Sequence, residues 1–324
     1  LGTAICLICL AGCAPRFPGS AASFRELLGT RQESDDAAFV MTFFECGIGD
    51  AVLLEMPGGR TVLVDTGVGW RVDHILGYFE ARGIDKLDAL VVTHPHRDHY
   101  GGAQAIVEAL PVGVFLDNGA ACDESHWRDL MSALESAGIS RRALRRGEKP
   151  AEIAGDGVVL EVLFPDDEAV ARAGRFFGDQ NRGSLVLLVT HRDARFLLMG
   201  DAESWEEEIL LAWDRDRLCA DVLKLGHHVS PGSSTSRFLD VVRPTLAIGQ
   251  GTEILRVPPF YPRPSPFVVN RLREIDAKLL LSGESGAIQV VSDTDGIRWR
   301  TMSGESGTVE PKGAVTPSVG RTVR

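Results

Sequence analysis

Residues 91–102 read VVTHPHRDHYGG. An apolar run delivers three histidines and an aspartate within six positions, His94, His96, Asp98 and His99, and Gly101-Gly102 follow. The chain has only eight histidines in 324 residues, so a loop that holds three of them needs a reason. Where a strand runs out into a loop, residues two apart can point to the same side, which brings His94 and His96 together. Asp98 and His99 come next, as the chain turns. Imidazole nitrogen and carboxylate oxygen are ordinary donors to zinc and other first-row divalent ions. Four such donors can serve two ions, and a catalytic ion takes about three protein donors and keeps one position open. The loop alone is therefore short of ligands, and the rest of the chain must supply them.

Two other segments repeat the order of apolar strand, glycine and metal-type side chain. FLLMGD ends at Asp201, and VLKLGHH ends at His227-His228. Five of the eight histidines thus lie at the ends of two expected core strands, where rigid scaffolds assemble sites on loops. His126, near a helix start, and His191, in the turn segment THRDAR, read as surface residues. Cys46, Cys122 and Cys219 are an odd number beyond the first thirteen residues, which leaves room for at most one disulfide between them.

The remaining pattern mixes strands and helices in both halves. VMTFFECG and AVLLEMPGGRTVLVDTG read as strands around a Pro57-Gly58-Gly59 turn, and LDALVVT and VGVFLDN as buried strands. Residues 70–82 are amphipathic and stop at Gly83, a helix C′ position. Ser125 is placed to cap a helix running to Gly138, and Ser204 to Glu207 has capping-box spacing. Ser265-Pro266 opens a further helix. VVLEVLF, SLVLLVT, RFLLMG, ADVLKLG, KLLLS, GAIQVVS and GIRWR are strands. We therefore expect one α/β domain with two sheets over residues 39–302. Residues 14–38 read as a tether, and 303–324, with little to bury, as a disordered tail.

Charge and the N-terminus bound the partners. The formal net charge of −11 argues against passive binding to nucleic acid. Arg141, Arg142, Arg145 and Arg146 could form a local phosphate-binding patch, and the competing reading is a solvated face. LGTAICLICLAGC, residues 1–13, has the length of a signal-peptide apolar region, too short to span a membrane. It ends in Leu10-Ala11-Gly12-Cys13, which resembles a bacterial lipobox. The expectation is an exported protein, held on the periplasmic or extracellular face of a bacterial membrane only through a lipid at Cys13.

The HxHxDH pattern of His94, His96, Asp98 and His99 resembles the signature of the metallo-β-lactamase fold superfamily. CGIGDAVLLEMPGGRTVLVDTG, VVTHPHRDHYGG, NRGSLVLLVTHRDARFLLMGDAE and DVLKLGHHVSPGSS follow one another as in the metallo-hydrolase domain of its ComEC-like branch, and the likeness covers about residues 39–300. The resemblance implies a four-layer αββα sandwich of mixed α/β (α+β) class. It implies His94 and His96 on one divalent ion, Zn²⁺ or Mn²⁺, with Asp98, His99 and His227 on a second and Asp201 between them. Asp50 and Asp65 would support the loop. Asp98 would orient an activated water, and His228 would support a ligand or move protons. Asn181, Ser184, Ser230 and Ser233 would meet substrate or brace ligands. The branch's membrane channel part has no counterpart here.

Three departures stand out. A third histidine for the first ion is not evident. Val229 occupies a glycine position, and Tyr261-Pro262-Arg263-Pro264 stands where a histidine-containing YGHP segment is usual. The expected activity is metal-dependent hydrolysis of a phosphodiester, with DNA as the first substrate candidate. Hydrolysis of a lactone or other acyl substrate, and a metal-stabilised binding protein without turnover, are the alternatives.

Overall fold

The computed structural model describes residues 38–173, 180–251 and 263–313. The segment ending at Cys13, the tether up to residue 37, Tyr261, Pro262 and residues 314–324 lie outside them. Nine strands form one sheet. They are β1 (Phe39–Phe43), β2 (Val52–Glu55), β3 (Thr61–Val64), β4 (Ala89–Val92), β5 (Val114–Asp117), β6 (Ser140–Ala143), β13 (Ile288–Asp293), β14 (Gly296–Thr301) and β15 (Ser306–Val309). Their spatial order is β15-β14-β13-β1-β2-β3-β4-β5-β6. A six-stranded sheet contains β7 (Val158–Phe164), β8 (Val186–His191), β9 (Ala194–Leu198), β10 (Val222–Lys224), β11 (Leu246–Gly249) and β12 (Lys278–Leu281), in the order β12-β11-β10-β9-β8-β7.

Alternation along the strands builds the layers. Leu54, Val62, Val64, Ala89 and Val91 meet Val189, Phe196, Leu198 and Ile248 in a core between the two sheets. Their neighbours Leu53, Leu63, Leu90 and Val92 point the opposite way. There they pack on α1 (Val72–Arg82), α3 (Ala103–Ala109) and α4 (Ser125–Ser136), through Ile75, Phe79, Ile106 and Leu130. On the far side, Leu197, Leu223 and Ala247 pack on α6 (Ser204–Trp213), α7 (Ser236–Val242) and α8 (Pro266–Glu274), through Leu210, Phe238 and Val268. Three cores between four layers give the αββα sandwich. Each fully buried aliphatic side chain contributes roughly 1.5–3 kcal/mol, so these cores carry the fold.

Both sheets change from antiparallel to parallel pairing partway across. Strands β3 to β6 run parallel, as do β9 to β12. The carboxyl ends of parallel strands are where open α/β sheets place their ligand-binding loops. Asp65, Thr93, Asp201 and His227 each follow such an end.

Gly83 closes α1 in the left-handed region at φ 69°. The capping box of α6 sits one residue earlier than expected, on Glu203 and Glu206. Ser125 is already helical in α4, whose N-cap is Glu124. The expectation that 303–324 is disordered is corrected over its first part. Residues 306–309 form β15 against β14, with Val309 opposite Ile297 and buried. One inward apolar residue among Ser, Gly and Thr is too weak a pattern to announce an edge strand. His191 is also corrected: it is buried, with Nδ1 3.1 Å from Ser292 Oγ.

Candidate metal centre

The loop after β4 begins with Thr93 and carries His94, His96 and the short helix α2 (Arg97–Tyr100). Asp65, just past β3, fixes it. Asp65 Oδ1 accepts from Thr93 N at 2.7 Å, and Oδ2 accepts from Thr93 Oγ1 at 2.8 Å and lies 2.8 Å from His99 Nδ1. The β1–β2 loop closes against the same turn at Gly49, where a Cβ would stand 1.7 Å from the Asp98 carbonyl oxygen. Across the sandwich, Gly226 lies so close to Ala202 that a Cβ would meet its carbonyl oxygen at 2.2 Å. His227, His228 and Val229 then run through three left-handed conformations, at φ 43°, 53° and 61°. Such residues cost of order 1–3 kcal/mol each and persist where surrounding structure imposes them.

These loops bring His94, His96, His99, Asp201 and His228 together in the interior, all at most 6% exposed. His94 Nε2 lies 2.9 Å from His96 Nδ1 and 3.8 Å from Asp201 Oδ2. The other carboxylate oxygen, Asp201 Oδ1, lies 3.2 Å from His99 Nε2 and 3.4 Å from His228 Nε2. Asp98 Oδ2 is 3.4 Å from His228 Nε2. Two groups of converging donors result, His94 with His96 and Asp201, and His99 with His228, Asp50 and Asp201. Asp201 belongs to both.

The donor set fits divalent ions. Donors around a tetrahedral ion at about 2.0–2.1 Å are spaced roughly 3.3–3.4 Å apart, close to the 3.2–3.4 Å of the His99–Asp201, His228–Asp201 and His228–Asp98 contacts. His99 Nε2, His228 Nε2 and Asp201 Oδ1 are buried without a hydrogen-bond partner. Leaving such atoms unsatisfied costs about 1–3 kcal/mol each, a cost that a cation among them removes.

Electrostatics say the same. Burial, with the charge of His99, holds His94 well below the ordinary histidine range, so its nitrogens are neutral and able to donate a lone pair. Burial also lowers His96. Burial opposes a charge on His99, but Asp201 and Asp65 override it and raise this imidazole well above its usual value. His228 is pushed up to about 10 by Asp201 and Asp50, again against burial. Asp201 and Asp98 stay ionised against burial, held low chiefly by His228 and His99. Without a metal, protons on His99 and His228 balance the carboxylates. A divalent ion held there would replace that positive charge.

Outer contacts aim the rings. Ser184 Oγ lies 3.0 Å from His94 Nδ1 and accepts from Asp201 N at 3.1 Å. Asp50 Oδ1 lies 3.3 Å from His228 Nδ1, while its other oxygen pairs with the buried Lys224. Ser233 Oγ donates to Gly226 O at 2.8 Å, and Ser230 Oγ to Glu203 Oε1 at 2.9 Å.

Several sequence expectations are corrected by this arrangement. His228, not His227, joins His99 and Asp98. The left-handed turn buries His228 and swings His227 outward, where its Nδ1 meets Glu203 Oε1 at 2.7 Å. His228 is therefore placed as a donor rather than a proton carrier. His227 Nε2 lies 3.7 Å from Asp201 Oδ2, on the side of His94. Ser184, Ser230 and Ser233 are buried, and of the two roles expected of them their contacts fit the bracing one. Asn181 remains at the opening, with Nδ2 3.4 Å from His227 Nε2. The arginine run is not a free basic patch: Arg141 pairs with Asp117, Arg142 with Glu148 and Glu152, Arg145 with Asp167 and Arg146 with Asp214. Glu203 was missed, and its single signal was its place two residues after Asp201.

Beside the centre lies a cavity of about 970 Å³, lined by Trp70, Arg97, Asp98, Tyr100 and His126 among others. Asp98, with 29% of its side chain exposed, links it to the buried donors. Among the described residues no helix is long and apolar enough to cross a membrane.

Comparison with known proteins agrees with this geometry. Residues 45–248 match the family described as the metallo-beta-lactamase superfamily. The chain is 29% identical over 265 residues to "Competence protein ComA" of Neisseria gonorrhoeae, covering 80% of this chain and 33% of that one. It is 27% identical over 263 residues to "ComE operon protein 3" of Bacillus subtilis, covering 76% and 32%. Against "Recombination protein 2" of Haemophilus influenzae it is 30% identical over 209 residues, covering 63% and 23%. The chain thus spans no more than about a third of the length of these relatives. With its hydrolase-type fold and a His/Asp cluster suited to divalent metal, the chain belongs to the metallo-beta-lactamase superfamily, in its ComEC-like branch.

Proposed function

We propose that the protein is a metal-dependent phosphodiesterase, with a nucleic acid as the first substrate candidate. The observation that carries this reading is Asp201, whose two oxygens face separate groups of buried donors. Paired sites of this kind suit in-line displacement at phosphorus, where entering and leaving oxygens both need charge stabilisation. Zn²⁺ or Mn²⁺ bound there supplies Lewis acidity and brings the pKa of a water toward ~7.

The chain's own residues set up the rest. His94, His99 and His228 present nitrogens fixed by Ser184, Asp65 and Asp50, so little reorganisation accompanies the reaction. Asp98, on the wall of the open cavity, orients the attacking water and accepts its hydrogen bond. The cavity admits a substrate from the side of Trp70 and Arg97. Competence relatives support nucleic acid as the substrate class, and that likeness covers only this portion of their length. The lipobox-like segment supports export and lipid anchoring at Cys13. Labelled palmitate retained after Cys13→Ala would refute the anchor.

The test is hydrolysis of bis(p-nitrophenyl) phosphate and of p-nitrophenyl acetate, with Mn²⁺ or Zn²⁺ and after chelation, in the protein and in Asp98→Ala. Phosphodiester turnover that needs both metal and Asp98 is expected. Turnover of the acetate alone would move the reading to acyl substrates. Turnover of neither by folded, metal-loaded protein would point to a non-catalytic role.

A further inference from the structure

Arg263 stands at the mouth of the centre, half-buried, with Nη2 2.9 Å from His227 Nε2. His227 Nδ1 faces the Glu203 carboxylate at 2.7 Å, and with the hydrogen there Nε2 is left to accept from the guanidinium. That nitrogen is itself 3.7 Å from Asp201 Oδ2, which places Arg263 directly outside the donor cluster.

A guanidinium has five N–H donors, and one lone pair takes one of them. The arginines at 141, 142, 145 and 146 all rest on carboxylates, whereas among the described residues no carboxylate lies in ion-pair range of Arg263. One nitrogen of its planar fork is thus engaged by His227 beside the donor cluster, and the described residues supply no carboxylate for the others. Such a fork matches two oxygens of a phosphoryl group. In a chain of net charge −11, a cation at the mouth also favours the approach of an anionic substrate.

We propose that Arg263 receives the non-bridging oxygens of the substrate's phosphoryl group and sets selectivity for anionic phosphoesters over neutral esters. This rests on the phosphoester reading above and adds the residue that would enforce it.

The full chain, loaded with Mn²⁺ or Zn²⁺, is titrated with orthophosphate by calorimetry, beside Arg263→Ala and Arg263→Lys. Metal content is measured in each. Arg263→Ala should weaken orthophosphate by about 10- to 100-fold, the size of a lost charge-assisted bidentate contact, with metal content unchanged. The ratio of kcat/KM for bis(p-nitrophenyl) phosphate over p-nitrophenyl acetate should fall by a similar factor. Arg263→Lys, which keeps the charge and loses the fork, should recover part of both. Orthophosphate bound equally by Arg263→Ala overturns the proposal, as does acetate binding the wild type as tightly as orthophosphate. Loss of metal in Arg263→Ala also overturns it, because Arg263 would then act by positioning His227. Wild type that binds orthophosphate through Arg263 but turns over only the neutral ester would defeat the phosphodiesterase reading and leave the anion site standing.

Discussion

Replacing Asp65 by asparagine removes one negative charge and one acceptor while keeping the shape. Both oxygens of Asp65 are in use: Oδ1 accepts from Thr93 N, and Oδ2 faces Thr93 Oγ1 and His99 Nδ1, all at 2.7–2.8 Å. An amide carries a single oxygen. If its nitrogen replaces Oδ1, it opposes the Thr93 N–H, donor against donor. If it replaces Oδ2, it opposes the Nδ1–H of His99, and the imidazole must shift its proton to Nε2. That atom faces Asp201 Oδ1 at 3.2 Å and is the one offered to an ion. In either orientation a buried donor loses its partner, at about 1–3 kcal/mol. For an outer carboxylate behind a metal-binding histidine this corresponds to roughly 10–100-fold in affinity. Competition against a chelating dye, with Zn²⁺ or Mn²⁺, reads it as weakening of the ion on the His99–His228 side. A folded Asp65→Asn protein with wild-type affinity for every ion would refute the reasoning, because His99 would then not depend on Asp65 for its tautomer.

Metal affinity should rise with pH. His99 is raised above its usual value and His228 to about 10, so the metal-free protein holds protons there at neutral pH and metal must displace them. Calorimetry in buffers of different ionisation enthalpy should show about two protons released at pH 7.5, and no release would contradict it. Gly49→Ala places a Cβ 1.7 Å from the Asp98 carbonyl at a φ of 101°, so metal binding should fall steeply with the fold retained by circular dichroism. Glu206 is buried, and desolvation raises its carboxyl from 4.5 to about 7. The stability linked to its proton is fully present below about pH 4.5 and is lost as pH rises through 7. Glu206→Gln should therefore be more stable to denaturant than wild type at pH 8.5, by about 1–3 kcal/mol, with the difference shrinking toward pH 5. Equal stability at both pH values would contradict the burial argument.

The metal-type motifs were legible because each combines a buried strand, a tight turn and scarce residue types. His94, His96, Asp98, His99 and Asp201 needed only that grammar. The pair at 227–228 carried no such information about which ring turns inward. The choice is made by three successive left-handed residues, and Val229 gave no hint of a positive φ. The serines at 184, 230 and 233 looked alike in sequence whether they faced solvent or braced a ring. The arginine run looked basic because its partners, Asp117, Glu148, Glu152, Asp167 and Asp214, lie up to 68 residues away. Strand β15 was hidden by its composition, and its edge position asks for little apolar surface.

The central claim is that one carboxylate, Asp201, serves two adjoining metal positions. Metal per chain, measured by elemental analysis after equilibration with Zn²⁺ and removal of excess, tests it in wild type, His228→Ala and Asp201→Ala. Two ions in the wild type, one after His228→Ala and strong loss of both after Asp201→Ala are expected. An Asp201→Ala protein that is folded and keeps two ions would contradict the account.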